Sequence, residues 1–200
     1  MGASSQAFCR DISQRKIAEL GLQQKNQELA DATQRLGYLS QTDELTGLNN
    51  RRGFLTRADE QLKLARRMTY VMSLVFIDVD GLKQINDTHG HAAGDNALTA
   101  SSDILRDVFR ESDLLARIGG DEFAVLAVNA GDDSAAVIRA RLNTALDAFN
   151  DASGHPYLLS FSLGQLSIPA DGARDVEELL AEADLAMYKD KLQKRAKRNG

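Results

Sequence analysis

One apolar run constrains this chain more than any other feature. Val71-Met-Ser-Leu-Val-Phe-Ile77 carries a single polar residue, Ser73, and gives way at once to Asp78-Val79-Asp80. A short run of this kind reads as a buried strand. The rest of the chain must supply its neighbours. A polar turn over Thr42–Asn50 leads into a helix from about Arg51 to Arg67. A second helix is expected from about Gly94 to Phe109. Strands Leu114–Ile118 and Phe123–Val128 flank the Gly119-Gly120 turn. A helix over Asp133–Phe149, an alternating strand over Tyr157–Leu166 and a last helix from Asp175 to about Arg198 complete the pattern.

From the buried strand onward the order is β-α-β-β-α-β. The expected fold is α/β (α+β): a ferredoxin-like, split βαβ core with an antiparallel central sheet flanked by helices. In that topology the first and third strands are antiparallel neighbours. Asp78 is then brought beside Asp121 and Glu122, although they are far apart in the sequence.

The first forty residues differ from the rest. Leu22, Leu29 and Leu36 recur every seven residues. Ala18, Ala32 and Leu39 follow the complementary seam, with Lys25 interrupting it. This suggests an N-terminal helix forming a parallel two-stranded coiled coil; the alternative is one amphipathic helix packed on its own domain. The expected division is 1–41 for this linker and 42–200 for the main domain.

Composition narrows the function. The net charge of −5 argues against general nucleic-acid binding. Cys9 stands alone, so no intrachain disulfide can form, which fits a reducing compartment. Tyr70–Ile77 is too short to span a bilayer. No secretory signal is visible, and Gln6 stands where a myristoylation motif needs Ser or Thr. The expectation is a cytoplasmic protein with no membrane segment here. Met1–Ser5 reads as an expression remnant, which implies an upstream sensor domain.

The acids suggest the chemistry. Asp78 and Asp80 follow the strand, and Asp121 and Glu122 sit on the facing hairpin. Carboxylates crowded together repel, and a hard divalent cation with oxygen preference resolves this. A lone acid after a strand is more often a solvated turn residue; two acidic pairs meeting at a glycine hairpin favour metal. Two ions clamping a nucleotide phosphate imply attack on an α-phosphate with pyrophosphate leaving.

Four ordered segments carry a family resemblance. Arg117–Phe123 (RIGGDEF), Asp43–Arg52 (DELTGLNNRR), Asp78–Leu98 (DVDGLKQINDTHGHAAGDNAL) and Ala183–Lys191 (ADLAMYKDK) resemble the GGDEF family of bacterial diguanylate cyclases. The resemblance implies condensation of two GTP into cyclic di-GMP with release of two pyrophosphates. It implies two Mg²⁺ ions per active site, with Mn²⁺ as an alternative, held by Asp78, Asp121 and the Val79 carbonyl. Asp78 and Asp121 are then catalytic, and Glu122 assists deprotonation of the ribose 3′-hydroxyl. Asn86 and Asp95 would read guanine, against the simpler readings of a turn and a helix N-cap. The backbone around Leu82 and Lys83 would cradle phosphates. Lys191 and Arg195 would contact the triphosphate, with Lys194 and Arg198 as the alternative pair.

Arg110-Glu-Ser-Asp113 matches the family's RxxD product site, and Arg141 falls where a second product-binding arginine often lies. The simpler reading is an exposed Arg110–Asp113 ion pair, worth little. Each domain would activate only its own ribose hydroxyl, so ring closure calls for a homodimer, with product feedback inhibition. The competing expectation is a catalytically inactive nucleotide receptor that signals through protein partners. A cyclase for cyclic AMP or a mixed dinucleotide is disfavoured by Asp95.

Overall fold

The apolar run forms strand β1 (Met72–Val79), buried along its whole length. The computed structural model describes residues 41–128, 134–152, 154–171 and 174–198, together with Lys16, Gln24 and Lys25. Around β1 stand α1 (Arg51–Met68), α2 (Leu82–His89), α3 (His91–Val108), β2 (Leu114–Gly119), β3 (Glu122–Ala127), α4 (Ser134–Ala152), β4 (Phe161–Ile168) and α5 (Val176–Arg198). The sheet order is β2-β3-β1-β4, antiparallel throughout. This is the split βαβ arrangement, with the first and third strands side by side.

Alternation along β1 feeds two cores. Val75, Ile77 and Val79 join Phe123, Val125 and the apolar faces of α3 and α4 on one side of the sheet. Met72, Leu74 and Phe76 join Ala124, Leu126 and the buried faces of α1 and α5 on the other. Each fully buried large side chain contributes about 1.5–3 kcal/mol. Asp78 follows the even positions and therefore belongs to the α1/α5 side.

Local chemistry sets the ends. The Asn50 side chain accepts the Gly53 N–H at 2.9 Å and starts α1, and Thr69 ends it in a left-handed conformation. The turn before α1 covers the free edge of β2: Asn49 donates to the Leu115 carbonyl, and Arg117 N–H donates back to Asn49 at 2.8 Å. A covered edge is protected from pairing with other chains.

The boundaries depart from expectation in three places. β1 runs on through Asp78 and Val79, because both pair with β4 and Asp78 also pairs with β3. α2 was not anticipated, since only Leu82 and Ile85 are buried in it and so short a helix leaves no periodic signal. β4 begins at Phe161, after an irregular approach. There the Asn150 side chain bonds both the N–H and the carbonyl of Leu159, taking the place of a strand neighbour.

Residues 1–40 and 41–200 form separate compact units. The expected N-terminal helix and its heptads lie outside the described residues, apart from Lys16, Gln24 and Lys25, which are helical. No helix among the described residues is long and apolar enough to cross a membrane.

Candidate active site

The β1–β3 register sets Asp78 opposite Glu122. One step further, the Val79 N–H donates to the Asp121 carbonyl at 2.9 Å. The strand end and the hairpin are thus joined where the acids lie. The Asp78 side chain is only 7% exposed and accepts a hydrogen bond from Lys191 Nζ at 2.6 Å. Burial pushes its carboxyl above the usual range; Lys191 opposes this, while Asp121 and Asp80 add to it. Glu122 is also raised, first by burial, then by Asp184, Asp121 and Asp78, with Arg51 opposing. Glu122 folds back over Gly119, where any Cβ would stand 3.0 Å from its Oε2. A glycine there keeps room for the carboxylate.

Asp80 does not join this group. Its carboxylate accepts from Ser160 Oγ at 2.9 Å and Ser162 Oγ at 2.7 Å, with Lys194 at 3.6 Å. It braces the start of β4, and the two-pair picture reduces to Asp78, Asp121 and Glu122. Among the described residues, no three His, Cys, Asp or Glu side chains group closely enough to hold a metal ion. The donors on offer are the Asp78 and Asp121 carboxylates and main-chain carbonyl oxygen. All are hard oxygen ligands, the set that suits Mg²⁺, which keeps several waters and substrate oxygens of its own.

The N-terminus of α2 lies just beyond β1. Gly81 precedes it with φ 77° and supplies no side-chain cap. The N–H groups of Leu82 and Lys83 belong to a first turn that makes no intrahelical bonds, and such a turn is a ready anion site. Asn86 and Asp87 lie inside α2, so they are not a turn. Asn86 lies against Gly94 of α3: a Cβ on Gly94 would stand 1.9 Å from Asn86 Oδ1. Asp95 is past the first turn of α3, which starts at His91, so it is not an N-cap.

On α5, Lys191 reaches Asp78. Lys194 turns instead to Asp80, Asp190 and the Phe161 carbonyl. Asp190 fixes the helix on β4 by accepting the Leu163 N–H at 3.0 Å and pairing with Arg139 at 3.2 Å. The Arg195 and Arg198 side chains lie outside the described residues.

At the other end of β2, Asp113 does not pair with the Arg110 guanidinium. Its carboxylate accepts the backbone N–H of Arg110 at 2.9 Å and of Val128 at 3.0 Å. The surface ion-pair reading therefore fails. Arg141 on α4 donates to the Val108 carbonyl.

Sequence reasoning missed two relationships. Asp43 accepts from Arg117 through both oxygens, at 3.3 and 3.2 Å, and Arg117 also holds the Gly120 carbonyl at 2.8 Å. Asp184 of α5 lies close enough to raise Glu122. Only the folded topology brings these partners together, so no local pattern announces them.

The family model described as "Diguanylate cyclase, GGDEF domain" matches residues 40–197. The chain belongs to the GGDEF family. It is 38% identical over 120 residues to the cyclic di-GMP phosphodiesterase NbdA of Pseudomonas aeruginosa, covering 60% of this chain and 15% of that protein. It is 37% identical over 129 residues to the diguanylate cyclase TpbB of the same species, covering 64% of this chain and 29% of TpbB. The GGDEF domain of DgcB from Caulobacter crescentus, solved in complex with c-di-GMP, superposes with a TM-score of 0.67 at 25% identity, over 77% of this chain and 91% of that one. The chain spans only a small part of the length of the curated GGDEF proteins it matches.

Proposed function

We propose that this chain is a diguanylate cyclase, condensing two GTP into cyclic di-GMP with loss of two pyrophosphates. The observation that carries the reading is the strand pairing that sets Asp78 opposite Glu122, with Lys191 at 2.6 Å from Asp78. The intact acids of the GGDEF signature favour an enzyme over an inactive receptor.

Asp78, Asp121 and the Val79 carbonyl would hold two Mg²⁺ or Mn²⁺ ions. Bound there, the ions would acidify the attacking hydroxyl and neutralise charge on the phosphoryl oxygens. Glu122 takes the proton from the ribose 3′-hydroxyl; its raised pKa makes it a stronger base than an ordinary carboxylate. The freed 3′-oxygen attacks the α-phosphorus of the second GTP, and the bond to pyrophosphate breaks. The same step with the roles exchanged closes the ring. Two domains must therefore face each other, which makes the working unit a homodimer, and the heptads before Gln41 are suited to hold it.

The α2 N-terminal amides at Leu82 and Lys83, with Lys191 and Arg195, hold the triphosphate. Asp95 accepts from guanine N1–H and N2–H, and Asn86 faces another edge of the base. Adenine offers an acceptor at N1 and would leave Asp95 opposed to a lone pair. Arg110, whose backbone N–H is held by Asp113, binds product at the far end of β2, with Arg141 as the second arginine that sequence position suggests. A strand of six residues runs about 20 Å, so product held there does not compete for the GTP site, and inhibition is non-competitive. The protein acts in the cytoplasm under an upstream sensor.

The deciding experiment incubates the chain with GTP and Mg²⁺ and weighs the product. Cyclic di-GMP is expected from the wild type and none from Asp78→Asn or Asp121→Asn. Wild-type turnover by either folded variant would overturn the assignment.

A further inference from the structure

A cavity of about 480 Å³ opens beside β2, between α1, the end of α3 and the turn that precedes α1. That volume lies in the range of small-molecule sites. Arg57, Arg106 and Arg110 line it, one from α1, one from α3 and one from the turn after α3. They differ in commitment. Arg106 is tied to the Thr46 carbonyl at 2.6 Å and to Asp103 at 2.9 Å. The Arg57 and Arg110 guanidiniums make no hydrogen bond or ion pair among the described residues.

The acidic wall residues do not pair with the Arg57 and Arg110 guanidiniums. Asp113 gives its oxygens to the backbone N–H groups of Arg110 and Val128. Glu111 is exposed and makes no ion pair among the described residues. Two uncommitted forks on one cavity suit a ligand with both a phosphodiester and a guanine edge, because guanidinium recognises phosphate bidentately and also guanine O6 and N7.

We propose that Arg57 is the second arginine of the product site: a guanine dinucleotide bound at Arg110 is held across the cavity by Arg57 of the same chain, through its phosphate. The inference rests on the product-site reading above and changes its membership. Sequence position favours Arg141, but Arg141 lies on α4, is spent on the Val108 carbonyl and does not line the cavity. Thr42, Gly47, Leu48 and Asn49 of the turn before α1 also line the cavity, so a dinucleotide spanning Arg57 and Arg110 lies against that turn.

The test measures cyclic di-GMP binding to the full chain by calorimetry, with a non-reactive GTP analogue saturating the active site. Wild type, Arg57→Ala, Arg57→Lys, Arg110→Ala and Arg141→Ala are compared. Losing a forked, charge-assisted contact should weaken binding about ten- to a hundredfold in Arg57→Ala and in Arg110→Ala. Arg57→Lys, which keeps the charge without the fork, should fall between. Arg141→Ala should stay within about twofold, since no lost contact is expected. If Arg110→Ala weakens binding and Arg57→Ala does not, the inference is overturned and the product site stands. If Arg110→Ala binds as wild type does, the product-site reading itself falls and the inference with it. Titration with inorganic phosphate separates the remaining case: loss of phosphate binding alone in Arg57→Ala, with dinucleotide affinity intact, overturns the proposal.

Discussion

Lys191 of α5 and Asp78 of β1 meet at 2.6 Å with only 22% and 7% of their side chains exposed. The pair ties the last helix to the end of the central strand. Asp78 remains raised above its usual pKa in spite of that partner, because burial comes first. A carboxyl raised in the folded state binds its proton more tightly there than in the unfolded chain. Its ionisation therefore costs stability as pH climbs from about 3.9, the unfolded value, through the folded one. Lys191→Met removes the opposing charge and raises Asp78 further. The variant should lose on the order of 3 kcal/mol near neutral pH, as expected for one partner of a buried pair. It should lose less at pH 4, because a raised carboxyl is more protonated there than at neutral pH. Urea unfolding at both values checks this; an equal loss at the two would show that Lys191 acts through packing alone.

The Asp43–Arg117 pair should behave in the opposite sense. Burial alone would raise Asp43, but hydrogen bonds from Thr46 and the Arg117 charge outweigh it and hold the carboxyl below its usual range. A lowered carboxyl contributes stability above the unfolded pKa of about 3.9 and loses it as pH falls through the folded value. Asp43→Asn should cost about 1–3 kcal/mol at pH 7, since hydrogen bonds to a charged group are lost. At pH 3 the gap between wild type and variant should narrow. A gap that stays constant with pH would remove the charge from the explanation.

How legible this protein was depends on range in the sequence. The run from Val71 to Ile77 announced β1, and strand order alone placed Asp78 beside Glu122; the register agrees. Asp80 looked equivalent to Asp78, yet it lies just past the end of β1, where its carboxylate is held by Ser160 and Ser162. No local pattern distinguishes the two, because the choice is made by β4, some eighty residues on. Helix α2 was hidden by its length and its two buried residues. Arg110 and Asp113, matched to a product site, also allowed the simpler reading of an ion pair, but two backbone N–H groups hold the carboxylate instead. Arg57 joined the same cavity only because the turn before α1 folds along β2.

Assembly gives a third prediction. Removing residues 1–40 deletes one compact unit and leaves the other, 41–200, entire. The shortened chain should remain folded by circular dichroism. On the proposed mechanism two domains face each other to close each ring, so its activity per chain should fall and rise more steeply with protein concentration. Equal activity at nanomolar concentration would mean that the N-terminal segment is not what pairs the domains.

Base recognition can be tested without touching a charged group. On Gly94 a Cβ would stand 1.9 Å from Asn86 Oδ1, so Gly94→Ala must drive the Asn86 side chain from its place. The whole Asn86 amide has to move, since its Cγ would also stand 2.8 Å away, but no backbone is in the way, and alanine is favoured over glycine inside a helix by about 1 kcal/mol. Stability should hold or rise slightly. If Asn86 contacts guanine, one hydrogen bond is lost, and the KM for GTP should rise about tenfold. Selectivity should not change if Asp95 meets N1–H and N2–H as proposed. Asp95→Ser makes the complementary variant. It removes the carboxylate that adenine opposes, so GTP use should fall and ATP incorporation should become detectable by mass. The two variants together separate positioning from discrimination. A Gly94→Ala protein with an unchanged KM would show that Asn86 packs on α3 without reading the base, and unchanged GTP preference in Asp95→Ser would withdraw Asp95 from the site.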